Sequence, residues 1–197
     1  NELVSKMIRM YNPSMPQQSI TGLESLYEMV MQIKDSYKLN TIKELIARCA
    51  GLFMEATTLN QLNVVGDSLK FSVSFNNRTG IPLEMAQVSI FGTTQVFDNL
   101  KANVTNVKSA SVYIPKESVV TQPYWLEYAM KEGSYDVRNQ EFIGSPENIP
   151  PLALFQIKIN GNTYNFDRPV QYKFTDPVKG ELYQPVQMVN PVFVNSS

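Results

Sequence analysis

The sequence predicts a mainly β protein in which an α-helical hairpin precedes an immunoglobulin-like antiparallel β-sandwich, an α+β arrangement overall. Two observations lead to this fold class. In the first third of the 197 residues, apolar positions recur with the period of a helix, whereas from Val64 onward they alternate with polar residues as in half-buried strands. Apolar residues make up 43% of the chain and charged residues 18%, which is typical of a globular protein with a core.

Residues 1–60 are predicted to form a helical segment with three helices. The first ends at Asn12-Pro13, because a residue that precedes proline avoids the helical conformation. The second runs from Leu23 to Lys34, and Asn40 or Thr41 caps the third. Their apolar positions are Leu3, Val4, Met7, Ile8 and Tyr11, then Leu23, Leu26, Tyr27, Val30 and Ile33, then Ile42, Leu45, Ile46, Cys49, Ala50 and Phe53. The last two helices form a hairpin over about residues 22–57, which is too small for a core of its own and has to pack on another surface.

Residues 61–190 are predicted to form the sandwich. In its first clear strand, Leu69, Phe71, Val73 and Phe75 alternate with polar residues, and a turn follows at residues 76–80. Further strands are expected at residues 85–91, 109–114, 154–159, 164–166 and 170–174, and Asn160-Gly161 is a strong hairpin signal. A proline-marked insert interrupts the sandwich at about residues 115–151. Residues 191–197 are expected to be a tail or linker, and because the chain begins with Asn1, we expect it to be a processed or excised piece of a larger protein.

The composition excludes several classes of function. The chain has no histidine and a single cysteine, Cys49, so it has no Ser-His-Asp or Cys-His device, no disulfide and no cysteine metal cluster. The net charge is −1 and the lysines are scattered singly, which argues against nucleic-acid binding. The chain also has no apolar run of about 18 residues that would insert into a membrane. We therefore predict no catalytic residue, no metal site and no cofactor.

Tyr124 and Trp125, inside the insert, are the candidate ligand-binding residues. The face of an aromatic ring stacks on a sugar and buries a large area at low entropic cost. The alternative is a core anchor at the entrance to a strand, because large aromatic side chains are mostly buried.

Two further groups are candidates for contact with a neighbouring domain. The methionines, Met29, Met31 and Met54 among them, gather in the helical part, where they either fill gaps in a core or form an apolar docking face. Asp176, Lys179 and Glu181 gather charge in one turn. Their alternative role is turn chemistry, since Asp before Pro with Gly four residues on favours a tight reversal.

Asp136, Glu141 and Glu147 flank the insert as carboxylates. A pair of carboxylates can hydrolyse a glycosidic bond, and several together can bind Ca²⁺. The chain has no Asp-x-Asp-x-Asp-Gly loop, and sequence spacing does not give the separation of two carboxylates in space.

Several segments resemble one family. They are TQPYWL at residues 121–126, FIGSPE at 142–147 and PVQYKFTDPVKGELYQPV at 169–186, supported by TIKELIARCAGLFMEA at 41–56 and VGDSLKFSVSFNNR at 65–78. These segments resemble the region downstream of the catalytic domain in large bacterial proteins of the LmbE-like, PIG-L (GlcNAc-phosphatidylinositol de-N-acetylase) family. The resemblance covers about residues 20–190 in the expected order, and the run at 169–186 is its most specific part.

The resemblance implies a role without catalysis for this chain. In that family a separate amino-terminal α/β domain binds zinc through a His-Pro-Asp-Asp segment and a later His, and this chain has neither. We therefore expect an accessory module that positions the catalytic deacetylase domain of the same polypeptide, in the periplasm or at the surface of a bacterium, with glycans as a further candidate partner. The alternatives are a carbohydrate-binding module and an independent glycoside hydrolase that uses carboxylates.

Overall fold

A computed structural model of the chain describes residues 2–144 and 151–192, and it places three helices at the amino-terminal end. They are α1 (Glu2–Met10), α2 (Ile20–Ile33) and α3 (Ser36–Cys49), with a 3-10 turn at Pro16–Ser19 before α2. Lys34 ends α2 in the left-handed conformation, with φ at 54°. Asp35 then caps α3, because its carboxylate accepts a hydrogen bond from the backbone N–H of Lys38 at 3.0 Å.

The rest of the described chain is mainly β. Its strands are β1 (Leu52–Thr58), β2 (Leu62–Val64), β3 (Ser68–Asn77), β4 (Met85–Ile90), β5 (Thr93–Val96), β6 (Asn106–Tyr113), β7 (Leu152–Ile159), β8 (Asn162–Asp176), β9 (Gly180–Pro185) and β10 (Gln187–Val189). Most begin or end at turn residues. Asn160-Gly161, for example, forms the tight turn between β7 and β8, with both φ angles positive as the predicted hairpin requires.

Eight of these strands form one barrel-like sheet in the order β5-β4-β7-β8-β1-β3-β6, with β9 beside the second half of β8. The long strand β8 organises the sheet. Its first half pairs with β7, while residues 170–172 pair in parallel with residues 56–58 of β1. The remaining two strands, β2 and β10, form a small separate ladder.

The two outermost strands of the sheet, β5 and β6, approach each other and close the barrel. The Lys108 ammonium on β6 donates a hydrogen bond to the backbone carbonyl of Val96 at the end of β5. Phe97, the next residue, stacks on Phe75 of β3 with the ring centroids 5.3 Å apart. A side-chain bridge and an aromatic pair thus hold this seam.

The helices and the inner face of the sheet share one apolar core. Its largest fully buried side chains include Tyr164 and Phe166 of β8, which face α2 and α3. Tyr27 of α2 meets Tyr164 edge-on at 5.5 Å, and Arg168 forms two hydrogen bonds of 2.9 Å with Glu44 of α3. The helices are therefore bound to the sheet by packing and by an ion pair.

A buried carboxylate lies at the contact between α2 and the β7–β8 turn. Glu24 accepts hydrogen bonds from the side-chain amide of Asn160 at 3.1 Å and from the Tyr164 hydroxyl at 3.4 Å. Burial, and secondarily the Glu24 charge, raises the pKa of the Tyr164 hydroxyl, so this group stays a hydrogen-bond donor at all physiological pH values.

The predicted elements need two corrections. The helical hairpin does not extend to residue 57, because α3 ends at Cys49 and Gly51 reverses the chain in the left-handed region, so that residues 52–58 are strand. The sheet is not purely antiparallel, because β1 and β8 are parallel. The coarse prediction of a mainly β protein with amino-terminal helices is confirmed, and the main sheet is barrel-like.

The insert is mostly irregular in its described part, residues 115–144. It contains two short 3-10 turns, Tyr124–Leu126 and Gln140–Phe142, and one isolated bridge between Lys131 and Ser134. Its beginning is held to β10, since Thr121 and Met188 exchange two hydrogen bonds of 2.9 and 2.8 Å.

Candidate functional site

The predicted aromatic pair lies at the start of the insert and is half-buried. The rings of Tyr124 and Trp125 meet at right angles with their centroids 4.9 Å apart. The Tyr124 hydroxyl also accepts a hydrogen bond of 3.5 Å from the backbone N–H of Gly144. The two rings therefore cover each other, and each has only part of its surface open to a ligand.

The same insert also contains an arginine, Arg138, that contacts an aromatic ring and a carboxylate. The Arg138 guanidinium is 3.8 Å from the centre of the Tyr128 ring and 3.2 Å from the Asp136 carboxylate. The hydrogen bond with Asp136 raises the pKa of Arg138. Asp136 is thus an ion-pair partner, and Glu141 lies in the short turn Gln140–Phe142. Glu147 lies outside the described residues.

The predicted methionines separate into two environments. Met29 and Met31 on α2 are 57% and 53% exposed and are available to a partner. Met54 needs a correction, because it lies in β1 rather than on a helix and is only 8% exposed. Side chains alternate between the two faces of a strand, and that of Met54 lies on the core side. Ile33, which the sequence placed on the apolar face of the same helix, is 65% exposed at the end of α2. Sequence reasoning did not single out Tyr37, which is 81% exposed near the start of α3.

The charged residues predicted in the turn after β8 have different roles in the structure. The Asp176 carboxylate accepts hydrogen bonds from the backbone N–H groups of Val178 and Lys179, both at 2.8 Å, which lowers its pKa. It therefore acts as a turn residue, the alternative that the sequence left open. Glu181 points elsewhere, because its carboxylate lies 3.0 Å from the Lys173 ammonium.

Lys173 is the centre of a polar cluster that the sequence does not predict. It lies 3.0 Å from Glu181 and 3.9 Å from Glu55 of β1, and the Tyr183 hydroxyl donates a 3.0 Å hydrogen bond to Glu55. The contact with Glu181, followed by that with Tyr183, raises the pKa of Lys173 to about 12. The positive charge is therefore constant at neutral pH, and the cluster binds β8, β9 and β1 together across the outer face of the sheet.

A groove of about 650 Å³ crosses the outer face of β1, β3 and β6. Its floor is a row of hydroxyls, since Thr57 pairs with Ser72 and Ser72 with Ser109 in the strand register, and the two serine hydroxyls lie 2.7 Å apart. Lys70 and Ser111 form the next row. Sequence reasoning recognised only that β3 alternates with polar residues. The groove depends on the register of three strands.

Residues 2–144 and 151–192 contain no group of three or more His, Cys, Asp or Glu side chains that could hold a metal ion. Cys49 is half-buried, and burial raises the pKa of its thiol, which disfavours the reactive thiolate. In the same part of the chain, no helix combines the length and the apolar character needed to cross a membrane.

Comparison with protein-family models, curated proteins and solved structures gives no match to this chain.

Proposed function

We propose that this chain is a non-catalytic accessory region of a bacterial LmbE-like, PIG-L type deacetylase, and that it positions the catalytic domain of the same polypeptide. The proposal rests on the resemblance over about residues 20–190. It places the chain in the periplasm or at the cell surface, and it leaves deacetylation to a zinc domain that lies outside this sequence.

The observation that supports docking is the apolar character of the exposed helical surface. Met29 and Ile33 lie one turn apart on α2 and are 57% and 65% exposed, while Tyr37 at the start of α3 is 81% exposed. A contiguous exposed apolar patch is typical of a protein contact, and we propose that these three side chains form one. We define Met29, Ile33 and Tyr37 as the helical docking surface.

We expect Ile33→Asp to weaken binding of an LmbE-like catalytic domain at least tenfold, because it places a charge in a buried apolar contact. The measurement is an NMR titration of the chain, with its nine methionines labelled on the methyl group, against the separately expressed catalytic domain. The Met29 signal should shift in the parent chain, and in the variant about tenfold more of the catalytic domain should be needed to produce the same shift.

Met130→Asp is the matched control, because Met130 is 60% exposed and belongs to the insert rather than to the helices. It should bind like the parent chain, and the signal of the buried Met188 should be unaffected throughout. A titration in which the Met130 signal shifts and the Met29 signal does not would contradict docking through the helices.

The finer form of the β region is also a proposal. We infer an immunoglobulin-like sandwich whose two halves share β8, one half being β5-β4-β7-β8 and the other β9-β8-β1-β3-β6. What supports it is the change of partners along β8, from β7 in its first half to β9 and β1 in its second. Aligned packing of two such halves is common in sandwiches.

A carbohydrate-binding module is the second candidate, favoured by the partial exposure of Trp125 beside Tyr124. Under the first proposal, acrylamide should quench the single tryptophan, because the ring is partly open, whereas N-acetylglucosamine oligomers should leave its emission maximum unchanged. The measurement is a fluorescence titration of the intact chain. An emission shift with the oligomers that is lost in Tyr124→Ala would move the carbohydrate-binding function ahead of the docking function.

A further inference from the structure

The groove on the outer face of β1, β3 and β6 has the size and shape of a small-ligand site. Its volume of about 650 Å³ lies within the range of about 300–1,000 Å³ that is usual for such sites. The side chains on its floor are short: Thr57, Ser72 and Ser109 lie side by side on three adjacent strands, about 4.8 Å apart.

The floor can both donate and accept hydrogen bonds. A hydroxyl carries one donor and two acceptor lone pairs. The Ser72 and Ser109 hydroxyls use one donor between them at 2.7 Å, and the second hydrogen and the remaining lone pairs point away from that bond. Ser111 and Asn60 add further polar groups along the rim. This donor and acceptor chemistry matches the hydroxyls of a sugar.

The charge of the groove selects among sugars. Lys70 lines it, and none of the described lining residues is acidic. Lys70 forms no ion pair with any described residue. The nearest carboxylate along β1 is Glu55, and its charge is compensated by Lys173 and by the Tyr183 hydroxyl. An ammonium without a protein partner beside a row of hydroxyls favours a ligand with one negative group and several hydroxyls.

We propose that this groove binds an acidic sugar, with the hydroxyls on the Thr57–Ser72–Ser109 row and the anionic group on Lys70. The surface is separate from the helical docking surface and from Trp125, so the proposal stands or fails independently of both. A carboxylate and a phosphate have the same chemistry toward Lys70, and the experiment includes both.

The test is an NMR titration of the intact, ¹⁵N-labelled chain with three probes, namely a galacturonic acid trimer, glucose 6-phosphate and a neutral glucose trimer. We expect the amide signals of Ser72, Ser109 and Ser111 to shift with at least one acidic probe and to respond more weakly to the neutral trimer. Lys70→Gln should weaken binding of the acidic probe about fivefold, as expected for the loss of one solvent-exposed ion pair. Added salt should weaken that probe more than the neutral one.

Lys101→Gln is the matched control, because it makes the same change of charge at an exposed position outside the groove. It should leave binding unchanged. Ser72→Leu provides a second variant, since it fills the floor without changing the charge and should weaken all sugars alike. No shift with either acidic probe, equal binding of the neutral trimer, or equal effects of Lys70→Gln and Lys101→Gln would each overturn the proposal.

Discussion

Phe75→Ala is expected to lower the free energy of unfolding by about 3–5 kcal/mol, the usual cost of truncating a fully buried Phe. Phe75 is 0% exposed in β3, and its ring stacks on that of Phe97. The substitution removes both the burial and the aromatic pair at the point where the barrel closes. The measurement is urea unfolding followed by circular dichroism, with the slope of the transition fitted in each variant.

Tyr113→Ala is the control for Phe75→Ala, because Tyr113 lies on β6 with about half of its surface exposed. It should cost much less. Adding Phe97→Ala gives a double-mutant cycle, in which a coupling of about 0.5–1.5 kcal/mol between the two rings is expected. If Phe75→Ala cost no more than Tyr113→Ala, the aromatic closure of the barrel would be wrong.

Gly80→Ala is expected to be the most damaging of the glycine substitutions. Gly80 has φ at +70°, and a Cβ added there would lie 2.6 Å from the Cβ of Ala102, on a segment that also bonds to β3. The backbone conformation costs an L-residue about 1–2 kcal/mol. The steric overlap adds about 1–3 kcal/mol, the usual cost of overpacking. Thermal and urea unfolding measure the sum.

Gly180→Ala separates these two contributions. Gly180 has φ at +80°, and nothing lies within 4 Å of an added Cβ. Only the backbone cost should appear there, so Gly80→Ala should be the more destabilising variant. Equal losses in the two variants would show that the loop at residues 78–84 is not packed against Ala102.

The helices and most strands follow from periodicity, because burial on one face imposes it. The end of α3 does not, since the helical spacing of Ile42, Ile46 and Ala50 continues formally to Phe53. Gly51 was the available signal, because a positive φ there is typical of a helix end. The apolar spacing at the start of β1 therefore also fits a helix, and the sequence did not predict this strand. The parallel pairing of β1 with β8 joins segments that are distant in sequence, and no local pattern encodes it.

The candidate sites were predictable to different degrees. The exposed methionines of α2 follow from the helical wheel, whereas Met54 was misplaced together with the helix end. Asp176 acts in its turn as the Asp-Pro signal indicates. The hydroxyl groove requires that Thr57, Ser72 and Ser109 come together, and these residues are adjacent only once the strand register is known. The proposed deacetylase partner and the glycan-binding alternative remain predictions.

The position of β1 has a consequence for the synthesis of the protein. On one side β1 pairs with β3, which leaves the ribosome shortly afterwards, but on the other side Ala56 pairs with Val170, more than a hundred residues later. Until β8 emerges, β1 therefore exposes an open edge, and the helices lack the Tyr164 and Phe166 surface on which they pack. Nascent chains that stop before β8 should consequently be unfolded and prone to aggregate, so that folding waits until β8 has left the ribosome.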